Sequence, residues 1–131
     1  MICAMRRLAI VLVLALAACS TVHHSPQHSP QQGRIARLWH GRVPDAKAAE
    51  YYDYLVTAGV RKIEQIPGNR GVDVLTSSRD GITDFVVISY WDSLDAIHAF
   101  AGADIEKTHH LPRDPEYLLE LEPTVRHYTV R

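Results

Sequence analysis

The chain has 131 residues, 47% of them apolar, and its 14 Lys and Arg nearly balance 15 Asp and Glu for a net charge of −1. With no basic block anywhere, nucleic acid has no electrostatic footprint to bind, and that class of function is set aside first. Two cysteines, Cys3 and Cys19, are too few for a disulfide-stapled scaffold.

The first elements lie before the domain. Arg6 and Arg7 precede an unbroken apolar run from Leu8 to Ala18. The run is too short to cross a hydrocarbon core of ~30 Å, which takes ~20 helical residues, so it reads as an export signal. Met5 is an equally complete start for that signal. Leu16-Ala17-Ala18-Cys19 resembles the lipobox of bacterial lipoproteins. The resemblance implies cleavage after residue 18, lipidation of Cys19, and a membrane as partner through the acyl chains, since two or more chains anchor stably. Ser20 in place of Asp implies the outer membrane, facing the periplasm, over the inner one. Cleavage would remove Cys3 and leave no internal disulfide. Residues 19–33 then form a tether: TVHHSPQHSPQQ repeats His-Ser-Pro-Gln and has no apolar residue after Val22, so it cannot bury enough surface to order itself. Its histidines, His23, His24 and His28, are of a kind that binds metal weakly.

Residues 34–131 remain as one domain of ordinary size, with 12 basic against 15 acidic residues once Arg6 and Arg7 are gone. Ile35–Arg42 reads as a strand with Arg37 and Trp39 on one face and Ala36, Leu38 and His40 on the other. Pro44 suits a first helical turn, and Ala46–Ala58 follows as a helix burying Ala48, Tyr51, Tyr52, Leu55 and Val56, with Gly59 as its C-cap. Pro67-Gly68-Asn69 marks a turn. Gly71–Ser77 and Ile82–Trp91 are strands joined by a hairpin at Arg79-Asp80-Gly81. Asp92 and Ser93 can cap a helix with Leu94, Ile97 and Ala101 inside and Phe100 alongside, broken at Gly102. Another turn or two of helix is expected over Asp104–His109, a short helical piece around Tyr117–Leu119, and a last strand over Thr124–Val130.

The order strand, helix, strand, strand, helix, strand is the split βαβ pattern of a ferredoxin-like α+β fold, a four-stranded antiparallel sheet with helices on one face. The uncovered face predicts a homodimer, because Trp39 or Phe85 and their same-face neighbours would otherwise sit in water.

The stretches IARLWHGRVP, PGNRGVDVL, VVISYWDSLDAIHAFAG and LLELEPTVRHYTV resemble the antibiotic biosynthesis monooxygenase-like family of dimeric α/β barrels, over nearly all of residues 34–131. The most specific part is the junction Tyr90–Leu94. The resemblance implies two subunits packed sheet to sheet, and one of several roles: cofactor-free oxygenation of aromatic substrates, haem binding and degradation, or none assigned. The haem-degrading branch uses an Asn on the first strand, a Trp on the second helix and a His ten residues on. Those positions fall here on no Asn, on Phe100 and on His110.

The candidate catalytic residues are His110, Arg37 and His98. A neutral imidazole at His110 could act as a base or ligate iron, with Glu106 four residues earlier on the same helical face. His98 is placed to face the cleft between helix and sheet. Trp39, Tyr90 and Phe100 are the candidate ligand-pocket residues, able to stack on a flat ring. No metal motif and no phosphate loop is present. Three functions stay open. The chain is an exported lipoprotein binding or oxygenating a small aromatic or apolar molecule without a cofactor, or a non-enzymatic envelope protein that captures a ligand or partner, or a haem-binding protein using His110.

Overall fold

The computed structural model describes residues 34–131, so the export signal, Cys19 and the tether to residue 33 lie outside the described residues. Alternation builds the sheet. In β1 (Ile35–Pro44), β2 (Asn69–Arg79), β3 (Ile82–Trp91) and β4 (Arg126–Thr129) the strand order is β2-β3-β1-β4, all antiparallel. β3 alternates without a break: Thr83, Phe85, Val87, Ser89 and Trp91 are buried and the residues between them are not. The register Arg37↔Ser89, Trp39↔Val87 and Gly41↔Phe85 puts the same-parity residues of β1 on that buried face. This is the ferredoxin-like arrangement, with its hairpin turn where expected: Asp80 and Gly81 both take positive φ, 54° and 79°.

The helices cover one face. α1 (Asp45–Leu55) does not end at Gly59. It passes through a π-helical turn (Val56–Val60) into α2 (Arg61–Glu64). Gly59 is therefore internal to the helix, and its lack of a side chain serves packing: a Cβ there would lie 3.3 Å from Leu111. α3 (Leu94–Ala101) is capped by Ser93, whose Oγ accepts the Ala96 N–H at 3.2 Å, and stops at Gly102 with φ 81°. Ile97 and Ala101 are its buried stripe, whereas Leu94 is exposed, so the stripe is one residue narrower than its spacing predicted. α4 (Asp114–Tyr117) starts three residues before the expected piece.

Three expectations fail, the first two for a shared reason. Asp104–His109 is not helical. Lys107 pairs with Thr124 in an isolated bridge, and the Thr108 N–H donates to the Pro123 carbonyl at 2.9 Å. Backbone groups committed to a strand-like neighbour cannot also close helical turns, so Glu106 and His110 do not share a helical face. Trp39 and Phe85 are not on the open face either. Both turn toward the helices, Phe85 at 1% exposure against Tyr51 in an edge-on contact of 5.1 Å and 88°. The open face carries Leu38, Leu75, Val86, Ile88 and Tyr128 instead, with Leu75 and Tyr128 largely exposed.

Candidate functional site

Between the helix-covered face of the sheet and the helix that runs through the π-turn lies a cavity of ≈ 80 Å³. Its walls are mainly apolar: Trp39 and Val87 from the sheet, Leu55 and Val60 from the helix, Phe100 from α3 and Leu111 from the loop before α4. The wider π-turn carries Gly59 and Val60 into this wall, a common placement for such turns. Gly41 is required beneath the indole of Trp39, since any Cβ there would collide with the ring.

Two charged side chains stand in the apolar wall. Arg37 is 5% exposed. Its Nη1 donates to the Ile105 carbonyl at 2.7 Å and its Nη2 to the Lys107 carbonyl at 3.1 Å, which takes those carbonyls away from any helical turn. Its guanidinium lies 5.8 Å from the centre of the Phe100 ring. Burial draws its pKa down to about 10, which leaves it cationic at neutral pH. Asp114 is 2% exposed and accepts from Tyr51 Oη at 3.1 Å and from the Leu111 N–H at 2.7 Å. Burial holds its carboxyl above the usual aspartate range, against the opposing pull of those hydrogen bonds and of His110. Burial, and then the charge of Asp114, push the Tyr51 phenol far upward, so Tyr51 remains a donor.

His109 also borders the cavity. Its Nε2 lies 2.9 Å from the Ala101 carbonyl, which only accepts, so Nε2 is the donor.

Of the residues singled out from the sequence, Arg37, Trp39 and Phe100 meet in this cavity. Three do not. Tyr90 has the opposite parity from Ser89 and Trp91, so it sits on the open face, where its hydroxyl donates to Asp73 at 3.1 Å. His98 is exposed and turned back to its own helix end, with Nδ1 donating to the Gly102 carbonyl at 3.0 Å. His110 is not in the cavity wall. Its Nδ1 is buried without a hydrogen-bond partner, 3.6 Å from Asp114. That geometry does not fit haem: the cavity is smaller than the roughly 150 Å³ that holds a benzene ring, and the imidazole proposed as ligand stands outside the cavity wall, facing Asp114. Sequence reasoning missed three contributors. Tyr51 was legible as a buried residue of the helix. His109 adjoins the favoured histidine, and Asp114 sits between Arg113 and Pro115 with no periodicity to mark it.

The fold is that of the ferredoxin-like dimeric α/β-barrel proteins, and the cavity under the helices is the site it frames. The model of the antibiotic biosynthesis monooxygenase family matches residues 40–110, more than half of the chain, and the chain belongs to that family. Similar solved structures agree on the fold. One is a Nitrosomonas europaea protein described as an antibiotic biosynthesis monooxygenase, with TM-score 0.55 and 19% identity over 75% of this chain and 90% of that one. A Bacillus cereus protein described in the same way has TM-score 0.52 and 19% identity over 75% and 93%. The haem-degrader MhuD of Mycobacterium tuberculosis, with two haems bound in its active site, has TM-score 0.50 and 18% identity over 73% and 94%. No curated protein matches the chain.

Proposed function

We propose that this protein is an exported lipoprotein whose barrel binds a small aromatic molecule and oxidises it with O₂, without a cofactor. One observation carries the reading: a single apolar cavity has both a buried cation, Arg37, and a buried carboxyl, Asp114, in its wall. A carboxyl held above its usual range is a stronger base than a surface aspartate. Asp114 takes the proton of a phenol, Arg37 steadies the resulting oxyanion, and Trp39 and Phe100 flank the ring. The electron-rich ring carbon then bonds to O₂. A phenol with a free para C–H leaves as the quinone: one oxygen atom enters the ring, and the other departs as water with the two hydrogens lost from O–H and C–H. Fused rings and haem need far more space than this cavity has, and a single ring enters it by moving the wall side chains apart.

The test is incubation of the detergent-solubilised, full-length protein with single-ring phenols that keep a free para C–H under ¹⁸O₂. The expected result is one labelled oxygen in the quinone, with turnover at least 100-fold lower in Asp114→Asn, the lower range for loss of a general base. Binding without O₂ consumption would leave a non-catalytic envelope binder. No binding at all would end both readings.

The export reading is supported by Arg6-Arg7, the apolar run and Cys19. It predicts that the protein takes up labelled palmitate and sediments with outer membranes, and that Cys19→Ser does neither. The homodimer reading is supported by the open face of the sheet, where Leu75 is 49% and Tyr128 47% exposed beside the half-buried Leu38, Val86 and Ile88. A second copy covers this face, and native mass spectrometry should find the dimer lost on Ile88→Lys.

A further inference from the structure

Three exposed arginines have carboxylate partners: Arg42 with Glu120 at 2.7 Å, Arg70 with Asp92 at 2.6 Å and Arg113 with Glu116 at 2.8 Å. The buried one has none. Among the described residues Arg37 makes no ion pair, and its partners are two carbonyl oxygens and the His127 ring, 3.5 Å from Nη1. Its Nε–H has no partner among the described residues. Buried charges are ordinarily paired, because the attraction of a counter-ion is what offsets the loss of water. Carbonyl dipoles offset part of a full charge and leave the rest. The surroundings register that excess. His127 is held below its ordinary pKa, first by burial and then by the charge of Arg37, although Glu106 opposes it. At neutral pH this end of the cavity is therefore positive, and the rest of the wall is largely apolar.

We propose that the ligand of this cavity is an aromatic acid, its carboxylate paired with Arg37 and its ring held between Trp39 and Phe100. The inference rests on the reading of the cavity as a small-aromatic site and narrows the class of ligand. A guanidinium presents a fork matched to a carboxylate, and Arg37 keeps the Nε edge of that fork free of protein partners. Phe100, over the guanidinium at 5.8 Å, lines the same cavity and gives the ring an apolar wall beside the charge. Tying β1 to the Ile105–Lys107 segment is a structural duty of the same side chain, but it uses Nη1 and Nη2 and calls for no net charge beside an apolar cavity. Asp114 does not work against the ligand. Tyr51 Oη and the Leu111 N–H already donate to the Asp114 carboxylate, so its charge is offset locally and it stays the base for a phenol proton.

The experiment is calorimetric titration of the full-length protein in detergent with benzoate and with benzyl alcohol, which differ little in shape and by one charge. Benzoate should bind at least tenfold more tightly than the alcohol. Arg37→Gln should lose that tenfold preference for benzoate over the alcohol. Should Arg37→Gln fail to fold, the preference of the wild type between the two probes decides the matter by itself. Benzyl alcohol bound as tightly as benzoate, or benzoate binding indifferent to the substitution, overturns the aromatic-acid assignment and leaves the proposed function standing. If neither probe binds, both fall together.

Discussion

Tyr51 Oη donates to Asp114 Oδ1 across 3.1 Å, joining α1 to a carboxyl 63 residues further along the chain, with both groups buried. This bond seats the acid that stands in the cavity wall. Removing the phenol hydroxyl in Tyr51→Phe leaves a buried carboxylate oxygen short of a donor, which costs about 1–3 kcal/mol. Urea unfolding should show a lower midpoint with an unchanged slope. A variant as stable as the wild type would mean that water replaces the hydroxyl.

The same carboxyl makes stability depend on pH. Its folded pKa is above its unfolded value of about 3.9, so folding favours the protonated form. That contribution is complete below the unfolded pKa and is lost as pH rises through the folded one. In Asp114→Asn the dependence disappears. The stability of the wild type relative to this variant should therefore fall between acid and neutral pH, and a pH-independent difference would refute the burial-driven shift.

His40 behaves in the sense usual for a paired histidine. Burial pulls its pKa down, but hydrogen bonds and charge from Glu122 at 2.6 Å and Asp84 at 3.1 Å outweigh it and raise the value overall. Its contribution is full below the unfolded value of about 6.5 and is lost as pH rises through the folded pKa. NMR titration of the imidazole should place its midpoint above that of an unfolded peptide, and Glu122→Gln should move it down. A midpoint unmoved by Glu122→Gln would mean that the contact does not persist in solution.

Glycines 68 and 81 separate backbone strain from collision. Both have positive φ, 88° and 79°, but a Cβ at Gly68 would lie 2.6 Å from the Ala96 Cβ, whereas at Gly81 it meets nothing within 4 Å. Gly81→Ala should cost about 1 kcal/mol, the price of a left-handed backbone alone. Gly68→Ala should cost at least ~1 kcal/mol more, because packed atoms must move. Equal losses in thermal unfolding would show that the turn after α2 yields freely.

Local rules made much of the fold legible. The alternation of Ile82–Trp91, the Asp80-Gly81 turn, the Ser93 cap and the Gly102 stop are each decided within a few residues, and each stands in the structure where its chemistry places it. The helix signals at Gly59 and over Asp104–His109 were overridden. Contacts with Leu111, Pro123 and Arg37, distant in sequence, set those backbones.

By itself the sequence determined the order of the elements, the two faces of β1 and the family resemblance, all of which rest on periodicity and short-range turn chemistry. Only the tertiary structure decided which face of the sheet the helices cover, and with it that Tyr90 lies away from the cavity while Asp114 lies in its wall. The physical reason is that a period of two distinguishes faces without naming the inner one. The choice is made when Phe85, Val87 and Trp91 find helices to pack against, and Arg37, on their face, is carried inside with them.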